Sequence, residues 1–568
     1  MSNVKNGLLI GYRDLFDDKP KSIDQYLNGL NQDNLKTSLL HLLGPFMDGN
    51  QNDFKVLIHK FFGEPNRDFA IMIYRKLLKI SEGAKKEISI INPYTILTIF
   101  ELIHNNTNTE EPVFGYKAEI DIFKAMLVVN QNQIVNQKKA YPLIKLGMFP
   151  QSVFTLAYPS SDIINGNPHK ILITQMVKML KFLDFLASIE TTKLLLDKYL
   201  KEFGFKDLNE YVRMLIDFIS QSVHNIYTHR TCEFIINPDE EYFKRSNFID
   251  RLILLGKDTV FEEDFTTIKR NPIIKVSEGR YQIIYLPFVL EMIFKGMYFK
   301  INGINSNYLG DKMPLFKNFR GFYCFEFSEK TLLYNTLFEI YREKYVCFSG
   351  EEMNSAGLIG GSDFYMRNDK NVFLFESKDV MIDKKIKVSH DYAQYDLKLK
   401  EKFYSKKEGE VGIYQLVNNI VKIFENEYKF DDGLNLSTVE IYPILVVHDR
   451  SFNTIGLNGI LNLWFDEQLV LLRKNGYPVQ RIKKLVLIDI DTFIYFKQEF
   501  NSTSIELDDL LNNYLKKTHY TKNSNTIKKW DVNKLLGTFI PFSNYVFEIF
   551  SPQKCNPINL ITDIKKYL

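Results

Sequence analysis

Cysteine and tryptophan are scarce in this chain of 568 residues, which contains four of the first and two of the second. No CxxC pair occurs, and the cysteines are scattered, at Cys232, Cys324, Cys347 and Cys555. The sequence therefore predicts neither a zinc ribbon nor a disulfide framework. It also lacks a signal peptide and an apolar run of membrane-spanning length. We therefore expect a protein of the reducing cytoplasm that has no contact with a membrane.

A strong charge of one sign and the common catalytic motifs are missing as well. The net charge is only +3, so any nucleic-acid-binding surface must be local. The chain contains no GxxxxGK[ST] phosphate loop, no GxSxG nucleophile elbow and no HExxH metal motif. The sequence therefore predicts neither a nucleotide-driven motor nor a serine hydrolase or metalloprotease of these types.

The chain does have enough apolar sequence for a large folded core. Hydrophobic residues make up 45% of it, and its length suggests about three or four domains in an α+β multidomain protein. We predict a helical domain at 1–230, an α/β connector with a hairpin at 231–325, an α/β domain with a mixed central sheet at 326–500, and a helical extension at 501–568. Polar loops are predicted near 107–112 and 518–528.

A predicted β-hairpin carries the most informative side chains. A short strand beginning at Asp363 is followed by turn residues at 368–371 and by an apolar second strand that leads into Glu376 and Lys378. If the turn centres between positions 369 and 370, Asp363 faces Glu376. Since side chains alternate along a strand, Lys378 shares the face of Glu376.

Two facing carboxylates repel each other unless a positive charge lies between them. A hard divalent cation such as Mg²⁺ supplies that charge and prefers carboxylate, water and phosphate oxygens. Lys378 could then hold an attacking water or stabilise charge on a phosphate. The competing interpretation is an ordinary solvated hairpin end that happens to carry Glu376 and Lys378.

The pattern resembles the PD-(D/E)xK superfamily of restriction-endonuclease-like nucleases. The resemblance lies in Asp363, twelve intervening residues, and then Glu376-Ser377-Lys378, with Ser362 where many members have proline. It covers residues 326–500 and implies a restriction-endonuclease-like core and hydrolysis of DNA phosphodiester bonds. It also implies dependence on Mg²⁺, with Mn²⁺ as an alternative, and metal binding by Asp363, Glu376 and the carbonyl of Ser377. Large nucleases of this kind often act in bacterial restriction or antiphage defence.

The resemblance also implies two supporting side chains on neighbouring helices. A metal-orienting glutamate on the preceding helix corresponds to Glu339, with Glu343 as the alternative, and a glutamine on the following helix corresponds to Gln415. Both glutamates lie at the edge of the apolar stripe, and plain surface charge is the competing interpretation for each. An ordinary exposed glutamine is the alternative for Gln415.

Lysines are concentrated just after the hairpin. Residues 378–407 contain nine lysines against five acidic residues, which could neutralise phosphates of DNA. A solvated helix face is the alternative explanation. Three readings therefore stay open: a DNA nuclease, an RNA nuclease triggered by a partner, and a catalytically silent binding module. The helical half could bind a partner protein or a second copy of the chain.

Overall fold

The computed structural model describes residues 8–550, except for short gaps at 29, 31, 48–53, 85, 106–116, 165, 230–231, 256–261, 311–312, 407–408, 503–504 and 519–535. Cys555, the loop predicted near 107–112 and most of the loop predicted near 518–528 lie outside the described residues. The fold is α+β, as predicted, with a five-stranded mixed sheet in the C-terminal half. None of the described helices is long and apolar enough to cross a bilayer.

The N-terminal half is helical, as the apolar periodicity predicts. Ser22 caps the helix Ile23–Leu27 by accepting a hydrogen bond from the Gln25 N–H, and the Asn92 side chain accepts one from the Thr95 N–H at the start of Pro93–Asn105. The helices are Tyr12–Leu15, Ile23–Leu27, Gln32–Met47, Phe54–Phe61, Arg67–Ala84, Pro93–Asn105, Lys117–Gln137, Tyr141–Lys145, Phe149–Ala157, Ser161–Ile164, Pro168–Ser188, Glu190–Phe203 and Leu208–His224. Two short strands, Leu8–Leu9 and Ile88–Ser89, pair in parallel.

The middle section contains a small antiparallel sheet, which confirms the hairpin predicted there. Strands Ile273–Ser277 and Arg280–Ile283 form that hairpin, and Glu233–Ile235 pairs with the second of them. Gly279 adopts a φ of 69° in the turn, a conformation that suits glycine. The helical segments of this section are Tyr242–Asp250, Thr266–Arg270, Leu286–Glu291, Met292–Gly296, Met297–Ser306 and Phe319–Phe322.

The main sheet is mixed. Its strands are β1 (Val346–Ser349), β2 (Phe364–Asn368), β3 (Asn371–Lys378), β4 (Glu440–Val447) and β5 (Val486–Asp489). Their spatial order is β5-β4-β3-β2-β1. The first three strands form an antiparallel meander, whereas β3, β4 and β5 run parallel. The carboxyl ends of β3, β4 and β5 therefore meet at one edge of the sheet.

Pro443 lies inside a central strand of the sheet, where proline is unusual. Proline has no N–H to donate, which suggests a bulge or a strand end at this position, yet Pro443 lies within β4 and pairs in register with Leu374 of β3. The ladder on the other side of β4 is interrupted there instead. An isolated bridge joins Ile441 to Ile482, and regular pairing with β5 begins only at Ile444. The N–H that Pro443 lacks therefore coincides with the interruption of pairing between β4 and β5.

Helices cover both faces of the main sheet. They include α1 (Pro168–Ser188), the π-helix α2 (Tyr323–Tyr334), α3 (Gly350–Ser355), α4 (Ile413–Phe424) and α5 (Leu457–Lys474). Phe364 and Phe375 belong to one apolar core, which they share with α1 and α2, and Tyr365 and Leu374 belong to a second core with α4 and α5. Other C-terminal helices are Asn335–Tyr341, Lys384–Lys387, Tyr392–Phe403, Ile490–Tyr495, Lys497–Asn501, Leu507–Lys517 and Phe542–Phe550.

The larger apolar core crosses the domain boundaries predicted near 230 and 325. It runs from Ile10 through α1 to the sheet residue Phe375 and on to Val546. An ion pair also joins the N-terminal half to the main sheet: Lys170 of α1 binds Asp489, at the end of β5, at 3.1 Å. One face of the sheet is therefore covered by helices of the N-terminal half. The division into four domains stays a prediction.

Candidate active site

The hairpin β2–β3 has the register that the sequence predicts. Phe364 pairs with Phe375 and Asn368 with Asn371, so the turn falls at positions 369 and 370. Asp369 takes a left-handed φ of 51° there, which aspartate tolerates. One step beyond Phe364 and Phe375, Asp363 and Glu376 occupy facing positions at the end of the hairpin. Glu376 lies inside β3, so by alternation it is on the sheet face of Leu374, whereas Asp363 comes just before β2.

Hydrogen bonds fix all three predicted side chains at this end of the hairpin. The Lys378 ammonium donates to Oε1 of Glu376 at 2.6 Å, and the Ser377 N–H donates to Oδ2 of Asp363 at 2.7 Å. The Glu376 side chain is only 1% exposed, and its Oε2 is buried without a hydrogen-bond partner. A carboxylate oxygen in that state is costly, because nothing compensates for the water it has lost.

Burial raises the pKa of both Asp363 and Glu376, and like charge adds to the shift at Glu376. Burial, followed by the Asp363 charge, raises the pKa of Glu376 to about 8. Burial also raises the pKa of Asp363, although Lys378 and the Ser377 N–H act against it. Burial disfavours the Lys378 ammonium, but Glu376 and Asp363 outweigh that effect and raise its pKa. Lys378 therefore stays charged, and both Glu376 and Asp363 interact with its ammonium group.

A third acid, Glu329 of α2, joins this cluster, and the sequence interpretation missed it. Burial and then the charge of Asp363 raise the pKa of Glu329 to about 7, and its Oε1 accepts a hydrogen bond from the Tyr334 hydroxyl at 2.5 Å. Because α2 is a π-helix, with i to i+5 hydrogen bonds, a wheel of 3.6 residues per turn assigns its faces wrongly.

The structure does not bring Glu339 into this cluster. Its carboxylate binds Lys181 at 3.1 Å and Lys497 at 2.6 Å. These lysines outweigh the effect of burial and lower its pKa. Glu343 is exposed on the surface. The acid that the preceding helix contributes is therefore Glu329, which corrects the assignment of Glu339 and of its alternative.

Gln415 caps its own helix in the structure. Its Oε1 accepts a hydrogen bond from the Gly412 N–H at 2.8 Å, at the start of α4. This bond satisfies a backbone donor that a helix leaves free at its N-terminus. The residue of α4 that touches the candidate site's surroundings is Lys422. Its ammonium binds the carbonyls of Ile359 and Gly360, just before Asp363, at 2.7 and 2.8 Å.

A polar network on the opposite sheet face anchors the end of β3. The Ser377 hydroxyl and Nε2 of His448, at the end of β4, are 2.9 Å apart. Burial lowers the pKa of His448 to about 4, so the imidazole is neutral near pH 7. Asp379 accepts hydrogen bonds from Arg320 at 2.5 Å and from Ser328 at 2.6 Å. Arg320, Asp379 and His448 line a cavity of about 50 Å³.

Internal ion pairs neutralise most of the lysine-rich run after the hairpin. Lys387 is buried against Asp162 at 2.7 Å, and Lys384 binds Glu262. Within the run itself, Lys398 binds Glu401. Counting these pairs, six of the nine lysines are engaged: Lys378, Lys384, Lys387, Lys398, Lys400 and Lys402. The run is therefore a weaker phosphate-binding surface than its composition predicts.

The metal-binding capacity of the cluster rests on Asp363 and Glu376. Across the described part of the chain, no group of three or more His, Cys, Asp or Glu side chains forms a ready-made metal site. The ligand set proposed for this site contains only two such side chains, Asp363 and Glu376, together with a backbone carbonyl. The unpartnered Oε2 of Glu376, near a second, partly buried acid, fits a hard divalent cation. Asp363, Glu376 and the Ser377 carbonyl could hold it, with Glu329 nearby.

Comparisons with protein-family models, with curated proteins and with solved structures find no match to this chain. The functional interpretation therefore depends on the residues themselves.

Proposed function

We propose that this protein is a Mg²⁺-dependent nuclease that hydrolyses phosphodiester bonds of DNA. The observation that carries the proposal is the end of the β2–β3 hairpin. There, Asp363 and Glu376 flank the pair Phe364–Phe375, the Ser377 N–H donates to Asp363 at 2.7 Å, and the Lys378 ammonium lies 2.6 Å from Glu376. Two acids and a lysine at one end of a hairpin are the set that the resemblance to PD-(D/E)xK nucleases implies.

The order of elements around the hairpin supports the same proposal. A helix precedes the meander β1–β2–β3, α4 follows it, and β4 then pairs in parallel with β3. The resemblance implies the order helix, hairpin, strand, helix and strand for a restriction-endonuclease-like core, and β4, α5 and β5 are the last three of these elements. The helices of the N-terminal half pack against this core, and a role for them in binding a partner or a second copy belongs to the proposal.

The chemistry would be divided among four side chains. A bound Mg²⁺, held by Asp363, Glu376 and the Ser377 carbonyl, would polarise the scissile phosphate and acidify a water. Lys378 supplies a permanent positive charge for the attacking water or for phosphate oxygens. Glu329, with a pKa of about 7, can take up or release a proton near neutral pH. A DNA product would then carry a 5′-phosphate, as the resemblance implies.

Hydrolysis assays test this proposal directly. Purified protein is incubated with DNA and with RNA in Mg²⁺, in Mn²⁺ and in EDTA. We expect wild type to cut DNA with either metal, EDTA to abolish cutting, and Lys378→Ala to be inactive. Glu343→Gln serves as the matched control, because Glu343 is exposed and outside the cluster, and it should retain full activity.

Three results would contradict the proposal. Equal activity of wild type and Lys378→Ala would remove the lysine from the reaction. Cutting of RNA alone would favour a ribonuclease, which in a cell could await a partner or effector. Binding of nucleic acid without hydrolysis in either metal would favour the silent binding module.

A role in restriction or antiphage defence would be tested by phage challenge of cells that express wild type or Lys378→Ala.

A further inference from the structure

The π-helix α2 brings Glu329 and Tyr334 together. Because α2 has i to i+5 hydrogen bonds, Tyr334, five residues after Glu329, lies one turn further along the same side of the helix. The Tyr334 hydroxyl donates to Oε1 of Glu329 at 2.5 Å. In a regular α-helix, side chains three or four residues apart share a face, and side chains five apart do not. The wider turn of α2 therefore makes this hydrogen bond possible.

Tyr334 is buried, and its hydroxyl is directed at Glu329. The residue is 5% exposed, so water offers the hydroxyl little alternative. Burial, followed by the charge of Glu329, raises the pKa of Tyr334, so the hydroxyl keeps its proton and donates it to the hydrogen bond. Within the described part of the chain, this is the hydrogen bond that the Glu329 carboxyl group accepts. Its Oε1 is therefore engaged, and its Oε2 is left for a cation, a water or a substrate.

Gly350 confines the Tyr334 hydroxyl from another side. A β-carbon added at Gly350 would lie 2.9 Å from the hydroxyl oxygen and 3.2 Å from the carbonyl oxygen of Asp363. The Gly350 N–H donates to that same carbonyl at 2.8 Å. The hydroxyl therefore touches both Glu329 and the glycine that is bonded to the Asp363 backbone, in a space that a larger residue at position 350 would fill.

A separate contact holds the backbone beside Glu329. Ser328, the preceding residue, donates to Oδ2 of Asp379 at 2.6 Å. Because Asp379 directly follows Lys378, this bond ties the Glu329 segment to the end of β3. A glutamate on a fixed backbone still has several rotamers, and ordering it costs conformational entropy. The Tyr334 hydroxyl selects one of these rotamers.

Resting on the proposed nuclease function, we propose that Tyr334 is a positioning residue that orients the Glu329 carboxylate toward the cation site of Asp363 and Glu376. Groups that hydrogen-bond to the side chains of a metal site fix their orientation, and loss of such a group typically lowers metal affinity or activity by about 10- to 100-fold. Tyr334 acts through Glu329 and not on the substrate. A tyrosine that only packed α2 against the sheet would affect stability without this dependence.

A double-mutant cycle tests whether Tyr334 acts through Glu329. Tyr334→Phe removes the hydroxyl and keeps the ring. Mn²⁺ affinity, from electron paramagnetic resonance, and turnover of a labelled DNA strand are measured at pH 8 for wild type, Tyr334→Phe, Glu329→Gln and the double variant. We expect Tyr334→Phe to lower at least one of the two quantities by about 10- to 100-fold. In the Glu329→Gln background, the same change should have less than about a twofold effect.

Two further variants separate positioning from stability. Tyr345→Phe is the matched control, because Tyr345 is 6% exposed and its hydroxyl donates to Oε2 of Glu506, outside the cluster, at 2.6 Å. It should lower stability in urea as much as Tyr334→Phe does and leave Mn²⁺ affinity and turnover unchanged. Gly350→Ala displaces the Tyr334 hydroxyl and should lower the same quantity as Tyr334→Phe. Alanine is favoured over glycine in a helix, so a loss of folding is not expected there.

The outcomes separate the positioning role from the nuclease proposal. If Tyr334→Phe matches wild type in Mn²⁺ affinity and turnover, or loses the same factor with and without Glu329, the positioning role is overturned even if the protein cuts DNA. If Mn²⁺ affinity depends on Tyr334 through Glu329 in a protein that never cuts, the positioning role is supported and the nuclease is defeated. A wild-type protein that neither binds Mn²⁺ nor cuts would overturn both.

Discussion

The molecule contains two β-hairpins that look alike in sequence and differ in what surrounds their charges. In the middle hairpin, Lys275 binds Asp250 at 3.2 Å and Glu278 at 3.1 Å, and Arg280 binds Glu233 at 3.3 Å, all at least partly in contact with water. In the β2–β3 hairpin, Glu376 is 1% exposed and keeps an unpartnered oxygen.

The contrast shows what distinguishes a solvated hairpin from a chemical site. Exposed ion pairs contribute little to stability, with a typical value below about 1 kcal/mol. Buried acids that share one lysine are destabilising in the free protein, because desolvation is not repaid. A fold retains such a cluster where a ligand or a reaction uses it, which is why perturbed acids indicate functional sites.

The largest expected effect is on hydrolysis, and it should separate the two hairpins completely. Asp363→Asn removes a charge that the proposed metal site requires, so turnover should fall by a factor on the order of 10³. Lys275→Ala in the middle hairpin should leave turnover unchanged. Steady-state cleavage of a labelled strand measures both. A similar loss of turnover in Asp363→Asn and Lys275→Ala would show that burial of charged groups does not distinguish the functional hairpin from the other.

The second effect is on stability, and its sign is unusual for a lost charge. Glu376 has a folded pKa of about 8 against an ordinary value of 4.5, so the native state binds the extra proton. The stability associated with that proton is complete below about pH 4.5 and is lost as the pH rises through 8. Glu376→Gln should therefore stabilise the metal-free protein above pH 8, by roughly 2 kcal/mol after discounting for relaxation.

Urea unfolding at pH 5 and at pH 9 in EDTA measures this difference. Glu278→Gln, whose glutamate is 72% exposed in the ion pair with Lys275 of the middle hairpin, is the matched control and should change the free energy of unfolding by less than about 1 kcal/mol at either pH. Destabilisation of the Glu376→Gln variant at pH 9 would mean that the carboxylate is well compensated in the fold, contrary to its unpartnered oxygen.

A third effect concerns metal affinity. Glu329 and Glu376, with pKa values of about 7 and 8, must lose protons before a cation can use them fully. Mn²⁺ affinity should therefore rise between pH 6 and pH 8, by up to about tenfold per unit for each proton displaced. Electron paramagnetic resonance of free Mn²⁺ measures this without any reaction. Glu329→Gln should flatten the lower part of the profile, and a flat wild-type profile would contradict the coupling.

The sequence predicted the part of the site that depends on the two-residue period of a strand. Alternation and a turn at Asp369 were enough to predict the register that pairs Tyr365 with Leu374; the pair Phe364–Phe375 lies between Asp363 and Glu376. Glu339 lies on the α-helix Asn335–Tyr341, and its partners Lys181 and Lys497 lie in distant parts of the chain. The partners of Lys384 and Lys387 lie in distant parts of the chain, at Glu262 and Asp162, and no local pattern reveals them.

The smallest expected effect belongs to Gln415, where the resemblance and the structure point to different roles. As an N-terminal cap of α4, its loss should cost about 0.5–1 kcal/mol in the free energy of unfolding. Turnover should stay close to that of wild type, because the Gln415 oxygen is engaged by the Gly412 N–H. Urea unfolding and cleavage of Gln415→Ala, compared with Gln415→Glu, which keeps a capping oxygen, separate these roles. If both variants lose turnover while they keep full stability, Gln415 acts on the substrate. Only that role would require its amide nitrogen.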